Sequence, residues 1–364
     1  MPARPNWGGL VGLAAMLAAI IASLGSIGDV QLFWIFAVAL ALGGAFVWLD
    51  FGFTAGFRDL LVRRDGRALA ASVAIPAVLA LVVLPVGAGS DDYSRFLAPV
   101  GLSLIVGAAI FGIGMQIANG CGSGCVVAAG QGSRRMLVAL PFFAMGGVLG
   151  TLILPIALGW PSLGAIDLAA WFGPWGGLLA TEALLALLAI GLLRGARPDL
   201  TQLYAGAIIG VLAVALFLVS GEPWGITMGL TVFGAKALQM MGVDLTVMEF
   251  WVSDGARHLL SASALSMPSA LSDIGVLLGA GFAACLLGRF RLGAVIGWRQ
   301  ALGGALGGLL MGVGARLSFG CNIGAFVSGT ASGSLHGLAW LVAVLPGCWL
   351  GILLRPWFEP ASAR

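Results

Sequence analysis

Ten separate runs of apolar residues divide this chain of 364 residues. A helix of about 20 residues crosses the hydrocarbon core of a bilayer, and each run is about that long. Only 9% of the residues are charged, against about 25% in soluble domains. The chain is therefore predicted to be an all-α integral membrane protein with about 9–10 transmembrane helices. The runs cover residues 8–28, 31–49, 68–88, 97–117, 136–158, 176–193, 203–220, 272–287, 295–315 and 335–354.

Charged residues between these runs predict the orientation of the chain. Cytoplasmic loops are enriched in Lys and Arg. A cytoplasmic N-terminus puts the arginines that follow the second, fourth, sixth, eighth and tenth runs inside and the acidic Asp91, Asp92, Asp167 and Glu222 outside. The net charge of +3 is spread thinly over the loops and points to no nucleic-acid partner.

One connection, between the seventh and eighth runs, is long enough to hold structure of its own. We predict a short helix over 229–241 and an interfacial stretch over 245–265. Trp251 and His258 are expected to lie at the headgroup boundary, where aromatic residues are enriched.

A Gly-Cys motif occurs twice, at a fixed offset of 200 residues. The stretch 111–133 reads FGIGMQIANGCGSGCVVAAGQGS, and the stretch 311–333 reads MGVGARLSFGCNIGAFVSGTASG. The repeat predicts two related halves of one membrane domain, residues 1–160 and residues 161–364. Each half holds five runs, an odd number, so the second half is expected to be inverted relative to the first, as in many transporters.

The repeated segments 119–133 and 319–333 are too short and too rich in glycine to cross the membrane. We predict that they are re-entrant from opposite sides, each starting a short helix at its cysteine. Irregular backbone is tolerated at membrane depth only where it is buried in protein or lines a cavity. The two Gly-Cys turns are therefore expected to meet near the midplane.

Cysteines at the start of a short helix are candidates for contact with an anion, because exposed N–H groups and the helix dipole attract negative charge there. The alternative is that Cys121 and Cys321 are small packing residues. Thr54 and Thr227 have equivalent spacing from Gly52 and Gly225 in the two halves. The predicted substrate-pathway residues are Cys121, Cys321, Cys125, Gly120, Gly122, Gly320, Asn322, Thr54, Thr227 and Arg316.

Other residues leave alternatives open. Cys125 lies one helical turn after Cys121, which also fits a membrane thiol oxidoreductase that cycles the two between dithiol and disulfide. Cys285 and Cys348 are expected to pack. A lone His336 is weak for zinc, so no metal or cofactor is predicted. Glu182, near a predicted helix start, is the best candidate for an intramembrane proton relay.

The paired G-x-G…G-C turns resemble the YeeE/YedE family of bacterial sulphur transporters over essentially the whole chain. Further marks are Gly-Phe-Arg-Asp at 56–59, Asp-Gly-Arg at 65–67 and Glu-Pro-Trp-Gly-Ile-Thr at 222–227. The resemblance identifies Cys121 and Cys321 with the two central family cysteines. Thr54 stands where the family has a third cysteine in its outer loop, a loop that the charge pattern here places inside.

The resemblance implies an hourglass-shaped importer of thiosulfate in the bacterial inner membrane, not an enzyme. Its cysteines would hand the ion inward to a small cytoplasmic TusA-like carrier. Sulfite, sulfide, persulfide sulfur and selenium compounds are alternative substrates, because the same turns suit any soft anion. A structural or assembly subunit is a third class, for which replacing Cys121 by Ser would leave flux unchanged.

Overall fold

A computed structural model describes residues 5–290, 292 and 295–359. Within these residues, ten helical segments are long and apolar enough to cross a membrane. The predicted all-α membrane class and number of crossings are thus confirmed, with most boundaries within a few residues. The helices of the N-terminal part are α1 (Trp7–Ile27), α2 (Val30–Trp48), α3 (Phe53–Arg58), α4 (Arg67–Ser72), α5 (Ala74–Gly87), α6 (Leu102–Ala118), α7 (Gly122–Gly130) and α8 (Arg134–Leu158).

In the C-terminal part, a π-helix over Asn322–Gly329 occupies the position that α7 has in the first. Helices α4 and α5 form one candidate crossing, and α7 follows α6 within another. Helix α3 and the helices over Thr227–Met240, Glu249–Val252 and Asp254–Ser261 are too short to cross. Strands β1 (Pro99–Gly101) and β2 (Ser162–Ala165) pair antiparallel. The remaining helices are α9 (Leu168–Leu193), α10 (Leu200–Ser220), α11 (Thr227–Met240), α12 (Glu249–Val252), α13 (Asp254–Ser261), α14 (Pro268–Leu286), α15 (Trp298–Leu317) and α16 (His336–Leu354).

Glycines bring the central helices into backbone contact, as small residues do in membrane bundles. A Cβ atom built on Gly114 of α6 would lie 2.5 Å from the carbonyl oxygen of Gly307 in α15. A Cβ atom on Gly307 would in turn lie 2.6 Å from the amide nitrogen of Ala118. The end of α6, where the first Gly-Cys turn starts, thus packs against the middle of α15, and Gly107 in the first turns of α6 packs against Leu317 at the end of α15.

Two ion pairs hold the connections around these helix ends. Arg135 donates to Glu359 at 2.5 Å and to the carbonyl of Ile117, in the last turn of α6. Arg95 makes two hydrogen bonds of 2.7 Å to the carboxylate of Asp167, the N-cap residue of α9. A buried bidentate arginine–carboxylate pair is more rigid than an exposed one. The loops that flank the turns are therefore anchored to the bundle.

The structure corrects two of the predicted placements. Trp251 does not lie at a headgroup boundary: its side chain is fully buried, and its Nε1–H group donates to Thr151 Oγ1 at 3.0 Å. Its hydrophobic contacts with α8 explain the burial. Glu182 lies near the middle of the helical part 174–193 of α9, which a non-helical Gly173 with φ of 73° separates from the first turns, and not at a helix start. His258 is exposed, and its place at a headgroup boundary stays a prediction.

Candidate functional site

Both Gly-Cys turns leave their preceding helix in the same way. Asn119 and Phe319 adopt the left-handed conformation, with φ of 64° and 62°. The amide of Gly120 then donates to Met115 at 3.1 Å, and that of Gly320 donates to Ala315 at 2.8 Å. The corresponding residues of the two turns are 200 positions apart in the sequence, which is the offset of the repeat. The sequence repeat is thus also a repeat of backbone geometry.

Glycine is required at the second turn by both its backbone and its surroundings. Gly320 has φ of 154°, and any Cβ atom there would collide with the amide of Ala325. A side chain at this position would break the turn. Gly320 therefore shapes the approach to Cys321.

Cys121 is the N-cap residue of α7, so the predicted start of the first short helix is confirmed. Its Sγ atom accepts a hydrogen bond from the amide of Gly124 at 3.3 Å and lies 3.5 Å from Ser123 Oγ. A thiol that accepts from an amide retains its own S–H group as a weak donor. Cys321 has the equivalent place before the π-helix Asn322–Gly329.

The two turns meet, as the sequence predicted. A Cβ atom built on Gly122 would lie 3.1 Å from the Sγ atom of Cys321, so the missing side chain makes room for that thiol. Cys121 and Cys321 are 1% and 0% exposed. Cys125 is also buried, and a Cβ atom built on Gly120 would lie 3.2 Å from its Sγ atom. Three unoxidised cysteines thus form one buried cluster.

The other two cysteines lie elsewhere and pack, as predicted. Cys285 of α14 faces Gly9 of α1, and a Cβ atom on Gly9 would lie 2.7 Å from its sulfur. Cys348 of α16 is packed against Gly112 of α6. Both are buried, and neither is at the junction of the two turns.

Several polar groups near the cluster are buried without a hydrogen-bond partner. Asn322, which follows Cys321, is 0% exposed, and both its amide oxygen and its amide nitrogen are unpaired among the described residues. The Nε–H groups of Arg316 and Trp224 are likewise unpaired there. Buried polar groups in native proteins are nearly always satisfied. Three of these four groups are donors, which suits an anion that binds for part of the time.

A cavity of about 570 Å³ borders the π-helix at Gly324 and Ser328, and none of the three clustered cysteines lines it. Arg316 lies in its wall, with its guanidinium carbon 4.8 Å from the ring centre of Phe250 and Nη1 3.8 Å from Met228 Sδ. Arg316 forms no ion pair with any residue that the structure describes. The cavity therefore offers an arginine without a paired carboxylate, although the carboxyl of Glu222 is also part of the lining. Its lining also includes Thr227, Trp224, Gly324, Ser328 and Ser272.

The predicted pathway residues thus fall into three groups. Gly120, Cys121, Gly122, Cys125, Gly320, Cys321 and Asn322 meet at the junction of the turns, while Thr227 and Arg316 line the cavity. Thr54, at the start of α3, lies apart from the cavity, and its carbonyl accepts from Gln116 at 3.5 Å.

Sequence reasoning missed Gln116, Trp224 and Asp273. Gln116 is buried and is the repeat equivalent of Arg316, so the offset of 200 residues could have found it. Trp224 was noted only as part of a motif. Asp273 was assigned to the end of a helix and is in fact buried inside one.

Comparison with known proteins found relatives that match most of this chain and others that match part of it. The chain is 26% identical to the thiosulfate transporter TsuA of Spirochaeta thermophila, over 80% of this chain and 88% of that protein. It is 25% identical to the thiosulfate transporter TsuA of Escherichia coli, over 84% and 90% respectively. It is 30% identical to the probable transporter YedE of Escherichia coli over 142 residues, which is 39% of this chain and 34% of that protein.

The family model for sulphur transport matches residues 50–350, which include both Gly-Cys turns and the cavity. This match covers most of the chain and confirms the resemblance that the turns indicated. Together with ten helices able to cross a bilayer, it shows that this chain is a multi-pass membrane protein of the sulphur-transport family.

Proposed function

We propose that this protein imports thiosulfate, or a closely related sulfur anion, through a pathway that passes between Cys121 and Cys321. The observation that carries the proposal is the meeting of the two cysteine turns beside unpaired buried donors, next to a cavity that is lined by Arg316 and reaches the π-helix at Gly324. Two relatives that match most of the chain are thiosulfate transporters, which favours this ion over sulfite or selenium compounds.

Each part of the site has a distinct role in this proposal. The free charge of Arg316 attracts the dianion into the cavity. Asn322 and the N–H groups at the starts of the two short helices then replace part of its hydration. The neutral thiols of Cys121 and Cys321 donate weak hydrogen bonds to the terminal sulfur. Weak donors suit transport, because binding at a constriction must allow release.

The two halves 1–160 and 161–364, inverted and joined as an hourglass, belong to the same proposal. Its support is the matched backbone of the turns, in which Cys125 donates to the Cys121 carbonyl and Ala325 to that of Cys321, each at 2.8 Å. Arginines in the loops after the even-numbered crossings support a cytoplasmic position for the opposite mouth of the pathway, and the bacterial inner membrane is part of the proposal. A TusA-like carrier at that mouth remains a prediction, which co-purification would test.

Thiosulfate uptake into proteoliposomes tests the function. We expect the wild type to take up radiolabelled thiosulfate, and Cys121→Ser and Cys321→Ser to lose at least most of the rate. Cys285→Ser is the matched control, because this cysteine is also buried but packs against α1. Equal rates in all four proteins would refute the cysteine pathway, and no uptake by the wild type would refute the substrate.

Cys125→Ser separates transport from the thiol oxidoreductase alternative. A redox cycle between Cys121 and Cys125 requires both sulfurs, so it is abolished by this change. A transporter that uses Cys121 and Cys321 is only slowed. Uptake of more than about a tenth of the wild-type rate by Cys125→Ser, roughly 1.4 kcal/mol of lost stabilisation or less, supports the pathway proposed here.

A further inference from the structure

Asp273 is a buried carboxyl group within a membrane-spanning helix. Helix α14 begins at Pro268, so Asp273 is more than one turn inside it. The residue is 3% exposed, and neither carboxylate oxygen accepts a hydrogen bond from any described residue. Gly229 of α11 makes room for the group, since a Cβ atom there would collide with Asp273 Oδ2.

Asp273 has no positive charge opposite it. The elements packed against α14 are α1, α2, α7, α11 and the turn Ala264–Ser266. The ionisable side chains that they contribute are the thiol of Cys125 and the amine of Lys236. Lys236 donates instead to the carbonyls of Leu260 and Ala262, at 3.1 Å and 2.6 Å.

From α15, Arg316 turns its guanidinium to Phe250 and Met228. The carboxyl of Asp273 therefore faces no cation among the described residues. An ionised carboxylate in such a place is very costly, whereas the neutral acid is tolerated. The carboxyl can therefore change its charge only by taking up or releasing a proton.

The carboxyl lies beside the cavity. Its neighbour Ser272 lines the cavity, as does Met228, which precedes Gly229. Helix α14 also packs against α7, whose N-cap residue is Cys121. An anion that moves from the cavity to the cysteines thus passes close to the helix that carries this carboxyl. The ionised form would repel it, and the neutral form would admit it.

We propose that Asp273 is the proton-carrying residue that couples uptake of the sulfur anion to entry of a proton. The inference rests on the proposed function. The carboxylate takes a proton from outside water through the cavity, and the neutral acid allows the dianion to reach Cys321. After the anion has left inward, the acid releases the same proton to the cytoplasmic side. One turnover carries one dianion and one proton inward, and the net charge moved falls from −2 to −1.

The first test measures proton and thiosulfate movement together in weakly buffered proteoliposomes of the wild-type protein, with a pH-sensitive dye outside. We expect addition of external thiosulfate to make the outside more alkaline, in step with uptake. Thiosulfate uptake without proton uptake overturns this inference and leaves the proposed function intact. No thiosulfate uptake under any gradient overturns both.

The second test compares Asp273→Asn with Asp273→Glu and with Asp244→Asn, which removes an exposed carboxyl outside the cavity lining, as the control. Acidifying the outside by one pH unit should raise the wild-type rate severalfold, up to about the tenfold change in proton concentration. The rate of Asp273→Asn should not respond, while thiosulfate still exchanges across the membrane in both directions. Asp273→Glu and Asp244→Asn should retain the response. A wild-type pH response in Asp273→Asn would refute the assignment, and the dye measurement decides the matter if this variant does not fold.

Discussion

Replacing Gly307 by alanine perturbs the packing of α15 against the end of α6, where the first Gly-Cys turn starts. The new Cβ atom would lie 2.6 Å from the amide nitrogen of Ala118 and 2.7 Å from the carbonyl oxygen of Gly114. Ordinary contact begins near 3.4 Å, so α6 and α15 must separate by roughly 0.7 Å at this point. Both clashing groups are backbone, and no side chain can rotate away.

The expected magnitude combines two opposing terms. Overpacking of this kind costs about 1–3 kcal/mol, whereas alanine in place of glycine within a helix gains roughly 0.5–1 kcal/mol. We therefore expect Gly307→Ala to lower the free energy of unfolding by about 1–2 kcal/mol. Ala118 precedes Cys121 by three residues, so the same shift should move the cysteines apart and slow uptake.

Gly25→Ala is the matched control for this change. Gly25 lies in α1, and a Cβ atom there meets nothing within 4 Å. This variant should gain stability and keep its transport rate. Chemical unfolding of the purified proteins in detergent, followed by tryptophan fluorescence, measures the first effect, and proteoliposome uptake measures the second. If Gly307→Ala unfolds at or above the wild-type denaturant concentration and transports normally, the proposed role of this crossing is wrong.

Three further changes test other parts of the structure. Arg316→Gln should raise the half-saturating thiosulfate concentration by about tenfold to a hundredfold, which corresponds to the loss of one charged hydrogen bond. Arg299→Gln, on the same helix, should leave this concentration unchanged. Equal half-saturating concentrations in the two variants would exclude Arg316 from binding. Trp251→Phe removes the Nε1–H donor to Thr151, so its unfolding free energy should fall by about 1 kcal/mol, and no change would show that the bond contributes nothing. Burial acts to raise the pKa of the Asp167 carboxyl, but the hydrogen bonds from Arg95 outweigh it and the pKa is lowered. Arg95→Gln should therefore destabilise the protein by roughly 1 kcal/mol at neutral pH, and its difference from the wild type should vanish as the pH falls through the folded-state pKa of Asp167; a difference that persists in acid would refute this origin.

The crossings and the cysteine turns were predictable because both depend on local sequence. A helix that crosses lipid must be long and apolar, and the Gly-Cys repeat required the same backbone twice. The meeting of Gly122 with Cys321 followed from the repeat. The other contacts of the short helices could not be predicted from the repeat, since long-range packing leaves no local pattern in the sequence.

The missed residues show where this limit lies. The run that became α14 was predicted to start at 272, which placed Asp273 at an interface, where an acidic residue needs no explanation. The helix in fact begins at Pro268, so the carboxyl is carried into the bundle. The predicted position of Trp251 was wrong for a different reason. An aromatic residue in an amphipathic segment fits a lipid interface and a protein interior equally well.

The difference in helix type between the two turns bears on the direction of transport. Helix α7 is an α-helix, whereas Asn322–Gly329 is a π-helix, so an ion meets unlike surroundings from the two sides. Geometry alone cannot make flow one-way: at zero voltage and equal pH, the ratio of maximal rate to half-saturating concentration must be equal for entry and exit. The asymmetry must instead appear as a difference between entry and exit in both the maximal rate and the half-saturating concentration, by the same factor. The face with the tighter site saturates first, and its maximal rate is lower by the same factor.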